Sequence, residues 1–225
     1  MVATTRTVFD HQLGELQFNT IQLSELVATQ AVQAVKALQK RDMTLAQYVN
    51  DFDANINQKR FDLEERCYTL LALQQPNSRD MRFIVATVSL VTNLERMGDH
   101  AAGIARLALR MAEKPAFLFV PEFNDMQELA NANLADAMTA FSTQNAVLAR
   151  EVVRHDEEID KLHKTVYDRL IRVMGEDPST IECATMLMWV SHNLERYADR
   201  ISNISERIIY LVTGDLHEPR CDPMP

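Results

Sequence analysis

The sequence predicts an all-α protein: two tandem three-helix bundles, six long antiparallel helices arising from an internal duplication. Three observations predict this. Only five glycines and seven prolines punctuate 225 residues, and apolar residues make up 47% of the chain, most of it aliphatic; with so few breakers and abundant Ala, Leu, Glu, Gln and Arg, helix is favoured nearly throughout. Apolar positions recur at spacings of three and four, the period of an amphipathic helix. Finally, Asn93-Leu94-Glu95-Arg96-Met97-Gly98-Asp99 returns one hundred positions later as Asn193-Leu194-Glu195-Arg196-Tyr197-Ala198-Asp199, with Ile104 and Ile204 extending the match. A repeat at about half the chain length marks a duplicated unit.

Taken in order, Phe9, Leu13, Leu16, Leu23 and Val27 predict a first helix from Thr7 to about Lys40. Arg41-Asp42-Met43-Thr44 breaks it, with Thr44 able to cap the second. That helix carries Leu45, Val49, Phe52, Ile56, Leu63, Cys67 and Leu70 and stops at Pro76-Asn77-Ser78. The third starts near Ser78, with Asp80 in its first turn, and runs to about Glu113. Two prolines then bracket an apolar tetrad over residues 114–121, read as a packed linker between the halves 1–115 and 116–225. A fourth helix runs from Glu122 to about Asn145 and a fifth to Met174, where Gly175 is expected to stop it before Pro178. The sixth, from about Ser179 to Thr213, has the cleanest pattern: Leu187, Val190, Leu194, Tyr197, Ile201, Ile204, Ile208 and Leu211 form a heptad seam, and Gly214 follows its end. Residues 217–225, with three prolines, read as a loose tail.

Bulk properties exclude several functions. A formal charge of −9 and a pI near 5.2 argue against nucleic acid, whose binding rests on Lys and Arg neutralising phosphates. An acidic surface suits cations and basic partners. Cys67, Cys183 and Cys221 are odd in number and widely spaced, so neither a disulfide framework nor a thiolate metal site is expected. The N-terminus reaches Asp10 and His11 without an apolar signal core, and no uncharged run approaches the ~18 residues of a spanning helix. A soluble cytoplasmic protein is expected, reaching a membrane only through a partner.

The chemistry-bearing feature is the acidic pair. Glu95 with Asp99, and Glu195 with Asp199, are four apart and therefore share a helix face. Asp53-Ala54-Asn55-Ile56-Asn57 on the second helix has its counterpart in Asp156-Glu157-Glu158-Ile159-Asp160 on the fifth, three residues closer to its Glu. Two facing pairs per half would offer carboxylate oxygens to iron, manganese, magnesium or zinc. The second half adds His163, on the face of Asp156 and Asp160, His192, three before Glu195, and Asn203, one turn beyond Asp199. Against this stands the ordinary solvated face: on a helical wheel Glu195 and Asp199 lie opposite the Leu194/Ile201 seam, and Arg96 and Arg200 are near enough to balance charge. Repetition of the whole constellation sets it apart from a plain acidic surface, and both readings stay open on the residues alone. Asp160-x-x-His163 alone approximates the Glu-x-x-His that a buried di-iron bundle needs on two helices, so an oxidase is disfavoured. No nucleophile–His–acid set and no glycine-rich phosphate cradle is present. Met81, Met97, Met111, Met174, Met186, Met188 and Trp189 are read as packing, and His11, His155 and His217 as surface.

At these paired stretches, with Pro76-x-x-Arg79-Asp80-Met81-Arg82 and Glu195-Arg196-Tyr197-Ala198-Asp199-Arg200-Ile201-Ser202-Asn203-Ile204, nearly the whole chain resembles the PhoU family of bacterial phosphate-uptake regulators. The resemblance implies tandem three-helix bundles related by a pseudo-twofold. It also implies acidic motifs that hold iron or zinc, in some members as multinuclear clusters, ahead of magnesium or manganese. Residue by residue it carries a metal role to Asp53, Asn57, Glu95 and Asp99, and to Asp156, Asp160, Glu195 and Asp199. It implies a non-enzymatic negative regulator, often a homodimer, linking a phosphate ABC transporter to a sensor histidine kinase. Two departures stand out: neutral Asn57 where the second half has Asp160, and Ser179-Thr180-Ile181-Glu182 where the first has Arg79-Asp80-Met81-Arg82. The rivals are a carboxylate-bridged metal hydrolase or oxidase, and a metal-free scaffold.

Overall fold

The computed structural model describes residues 2–112, 114 and 120–215. Six α-helices occupy them: α1 (Val2–Lys40), α2 (Met43–Gln74), α3 (Ser78–Ala112), α4 (Glu122–Thr143), α5 (Ala146–Glu176) and α6 (Ile181–Thr213). A 3-10 turn, Pro178–Thr180, leads into α6.

The expected helices are all present, and their ends explain the departures. The cap of α2 is Asp42, not Thr44: its backbone is extended and its Oδ1 accepts from Leu45 N at 2.9 Å, and a carboxylate there also meets the helix dipole. Asn145 does the same for α5, accepting from Val147 N and Leu148 N, so it caps α5 instead of closing α4. Each cap follows a left-handed residue, Arg41 or Gln144, both at φ 52°, so the first turn of each repeat is one backbone solution written with different side chains. Gly175 does not stop α5. The helix runs through it to Glu176, and Pro178 forces the preceding Asp177 into an extended conformation. Gly214, at φ 81°, does terminate α6, its N–H bonding to Tyr210 O.

Packing follows the duplication. α1, α2 and α3 pack mutually, as do α4, α5 and α6. Between the triplets the main contacts among the described residues join equivalent helices, α1 with α4 and α3 with α6, as suits an approximate twofold, and Phe83 of α3 also stacks on Phe141 of α4. The α3–α6 contact is as extensive as those within each triplet and runs antiparallel along its length: Arg82 lies at Gly214, Asn193 at Gly103, and Lys114 Nζ at 2.7 Å from Glu182 Oε1. The seam predicted on α6 is fully buried, and one continuous core draws on all six helices. Tyr197 Oη donates to Asn131 Oδ1 at 3.0 Å and Asn131 Nδ2 to Ala28 O at 3.1 Å, tying α6 through α4 to α1. The halves are thus fused side by side. Of the expected linker, residues 115–119 lie outside the described residues, as does the tail from residue 216, including Cys221 and His217; Val120 is buried in the common core.

Two packing expectations fail. Met81 and Trp189 are more than half exposed, because α3 and α6 use those positions on their outer faces. Met97, Met111 and Met186 are core, and Met174 and Met188 pack against it. His11 and His155 are exposed as expected.

Candidate metal site

The eight predicted residues fall into two equivalent neighbourhoods, each built where the second helix of a repeat packs on the third. In both, the Glu-Arg-x-x-Asp segment folds the same way. Arg96 Nε lies 3.5 Å from Glu95 Oε2 and its Nη1 3.3 Å from Asp99 Oδ2; Arg196 repeats this at 3.4 and 2.8 Å with Glu195 and Asp199. The charge balance expected of Arg200 is thus supplied by Arg196, while Arg200 acts on His100 across the α3–α6 contact. The Glu side chains are only 8% and 17% exposed, against 39% and 28% for the Asp side chains. The wheel placed the Glu opposite the seam and hence outside. It misses that a second neighbour, α2 or α5, covers that flank.

Burial first, then the neighbouring Asp99 charge, pushes Glu95 above its ordinary pKa, against Arg96 and Arg60. Asp53 is raised by the same two causes, with Gln30 and Arg106 pulling it down. In the second set burial pushes Asp156 up to about 6, helped by Asp199, Asp160 and Glu195 and opposed by a 3.0 Å hydrogen bond from Ser202 Oγ. Glu195 is raised by burial and Asp199 and lowered by Arg196 and His163. The carboxylates of each half therefore feel one another across two helices. Asp160 is exposed at the rim, and Asn57 turns inward on its neighbour, its Nδ2 lying 3.5 Å from Asp53 Oδ2.

The donors suit a hard or borderline cation. Glu95 Oε2 and Glu195 Oε2 are buried and accept no hydrogen bond beyond ion pairs with Arg96 and Arg196 at 3.5 and 3.4 Å, and Asp53 Oδ1 is buried without a hydrogen bond, so all three have room to accept a cation. Among the described residues no three His, Cys, Asp or Glu side chains stand close enough to hold a metal as they are, so ligation requires side-chain rotation. Among the described residues neither set lines the cleft of about 550 Å³ between α1 and α2, which includes Gln12, Asp62 and Arg66, or the smaller clefts between α1 and α4 and beside Arg6 and Arg79.

Sequence reasoning missed the first helix of each repeat. Gln30 of α1, 1% exposed, donates to Val49 O at 3.2 Å, lowers the Asp53 pKa, and leaves its own Oε1 without a partner. Aligning the Arg41 and Gln144 turns pairs Gln30 with Asn133, also buried. Extending the repeat through that turn is the signal that finds them. His163 Nδ1 lies 2.8 Å from Ser191 Oγ, and His192 Nδ1 3.5 Å from Glu195 Oε2, so these two histidines belong to this neighbourhood.

The PhoU domain model matches the chain twice, over residues 20–108 and 123–208. The chain belongs to the PhoU family. Each match contains one acidic set and carries the duplication through all three helices of its repeat. A Streptococcus pneumoniae relative, a phosphate-specific transport system accessory protein PhoU homolog, is 36% identical over 211 residues, 94% of this chain and 98% of the relative. The Clostridium acetobutylicum PhoU homolog is 33% identical, over 93% and 96%. Among solved structures, the phosphate transport system regulatory protein PhoU from S. pneumoniae superposes with a TM-score of 0.87 at 36% identity, covering 93% of this chain and 99% of that one. PhoU from Pseudomonas aeruginosa gives 0.87 at 33%, covering 92% and 100%.

Proposed function

We propose that this chain is a non-enzymatic accessory regulator of phosphate transport, repressing phosphate-responsive signalling through contacts with a phosphate ABC transporter and a sensor histidine kinase. Family membership over nearly the whole chain, with relatives named for that transport system, carries this reading. The protein works from the cytoplasm, as a homodimer, and meets the membrane through its partners; among the described residues no helix is long and apolar enough to cross one. Iron or zinc, held by Asp53, Glu95 and Asp99 and by Asp156, Asp160, Glu195 and Asp199, cancels repulsion within each acidic set and shapes a docking face. Asn57 contributes at most a neutral oxygen. The metalloenzyme alternative needs an enclosed pocket with an open coordination position, and the acidic sets lie at a partly exposed helix face away from the main clefts.

The deciding experiment is affinity capture of the transporter ATPase and the kinase from cells grown with and without phosphate, alongside metal analysis of the purified protein. Phosphate-dependent recovery of both partners is expected. Recovery of neither, with unchanged repression in a strain lacking the chain, refutes the regulatory reading; a protein that takes up no iron or zinc on reconstitution refutes the metal part alone.

A further inference from the structure

We infer that α2, α3, α6 and α5 form a pseudo-twofold platform that seats one homodimeric protein partner, each partner subunit laying an apolar patch on one repeat while acidic side chains of the dimer meet the arginines between. The inference rests on the protein-contact reading above and deepens it, since that reading gives neither the surface nor the symmetry and charge of what covers it.

Each repeat leaves large apolar side chains uncovered on the same flank. In the first they are Phe61 and Tyr68 of α2 with Met81 and Val85 of α3; in the second, Tyr167 and Ile171 of α5 with Ile181 and Trp189 of α6, all between 42 and 56% exposed. The registers of Asp53 with Asp156 and of Glu95 with Glu195 make Tyr68 equivalent to Ile171 and Met81 to Ile181. The remaining positions differ, Phe61 answering to Lys164 and Val85 to Thr185, while Glu64 gives way to Tyr167 and Ser89 to Trp189. The area is kept although its members change. Across the helices, Glu64 Oε1 accepts from Thr92 Oγ1 at 3.1 Å, a register that brings Tyr68 level with Val88, and His163 Nδ1 at 2.8 Å from Ser191 Oγ brings Tyr167 level with Leu187. The Arg60 guanidinium lies 4.0 Å over the Phe61 ring and holds it in place. Exposed apolar residues scattered singly need no explanation; two strips at equivalent places on one face mark an interaction surface.

Symmetry and charge say what covers them. With Gly103 at Asn193 and Arg82 at Gly214, the antiparallel register brings Gly98 level with Ala198, so the pseudo-twofold axis emerges between Arg96 and Arg196. The crest around it is basic in a chain of net charge −9: Arg96, Arg106, Arg110, Arg196 and Arg207 are exposed, while Asp99 and Asp199 are more recessed, each held by its arginine. Two copies of this chain placed face to face would set those guanidiniums against one another, a like-charge contact that costs several kcal/mol. An acidic partner meets them favourably. At a helical rise of about 1.5 Å per residue, Met81 and Ile181 lie roughly 25 Å to either side of the axis. Two equivalent seats facing opposite ways match two identical subunits, whose own twofold then coincides with that of the platform. One chain per dimer follows.

The test uses the full chain and two purified probes, the ATPase dimer of the phosphate transporter and the dimeric cytoplasmic region of the sensor kinase, with calorimetry for affinity and light scattering for stoichiometry. At least one probe should bind with one chain per dimer, more weakly as salt rises. Tyr68→Glu and Ile171→Glu should each weaken that binding at least about tenfold, and the two together should abolish it. Phe18→Glu, a change at an exposed apolar residue of α1, should leave it unchanged. A photoreactive side chain placed at Tyr68 or at Ile171 should cross-link to the partner, and a chain carrying both should join the two subunits of one dimer. The single tryptophan, Trp189, lies on the second strip; with fluorotryptophan in its place, a shifted ¹⁹F resonance on binding reports coverage without any designed variant, whatever the folding of the others. Two chains per dimer, loss from one strip only, cross-links to a second copy of this chain, or binding that leaves the Trp189 resonance unmoved would overturn the inference and leave the regulatory reading intact. Failure of both probes to bind defeats both.

Discussion

Replacing Asp156 with Asn should stabilise the metal-free protein at neutral pH. Burial, with the charges of Asp199, Asp160 and Glu195, lifts this carboxyl from 3.8 to about 6 even though Ser202 bonds it. A shift of about two units corresponds to about 3 kcal/mol of penalty on the charged native form, and water penetration at a partly exposed site reduces it to about 1–2. The sign follows from proton binding. Between the ordinary value and about 6 the native state holds a proton that the unfolded chain gives up, so stability falls as pH rises through that window. Asn removes the charge and keeps an oxygen for Ser202. At roughly 2–4 °C per kcal/mol for a chain of this length, thermal melts in EDTA at pH 7.5 should show a gain of roughly 2–8 °C, shrinking to about a third at pH 4.5. Saturating divalent metal should erase the gain by neutralising the same charge in wild type. A variant no more stable than wild type at pH 7.5 in EDTA, or one whose gain ignores pH, refutes the reasoning.

Gly98→Ala should destabilise: a Cβ there meets Gln30 Oε1 and Ile56 Cγ2, each at 3.2 Å, and the overpacking cost of about 1–3 kcal/mol exceeds the helix-propensity gain of about 1. Adding Gln30→Asn should recover much of the loss, because the second repeat pairs Ala198 with the shorter Asn133; urea unfolding of the single and double variants measures the coupling. Gly103→Ala sets a Cβ 2.8 Å from Asn193 Oδ1, displacing the side chain that meets His100 Nδ1 at 3.2 Å; a lower melting temperature and changed exchange protection along α3 and α6 are expected. Since one core threads both triplets, calorimetry should show one cooperative transition; two separate transitions would mean that the α3–α6 contact does not couple the repeats.

The sequence alone determined the six helices, the duplication and the residues of both acidic sets. Helix-period spacing reports a buried face directly, and Glu95, Asp99, Glu195 and Asp199 announce themselves by recurring in the same local pattern. Where a helix ends was harder to read. Thr44 and Asp42 are both plausible caps until the backbone of Asp42 is seen to be extended, and Gly175 permits a stop that Pro178 enforces two residues later. Only the tertiary structure decided that the halves fuse through α3 and α6, because one heptad seam does not reveal how many neighbours a helix has. That same contact geometry, with α2 and α5 on the other flank, buries Glu95 and Glu195 and brings Gln30 under Asp53. These are effects of dielectric and distance between segments far apart in the chain, and no single-helix pattern records them.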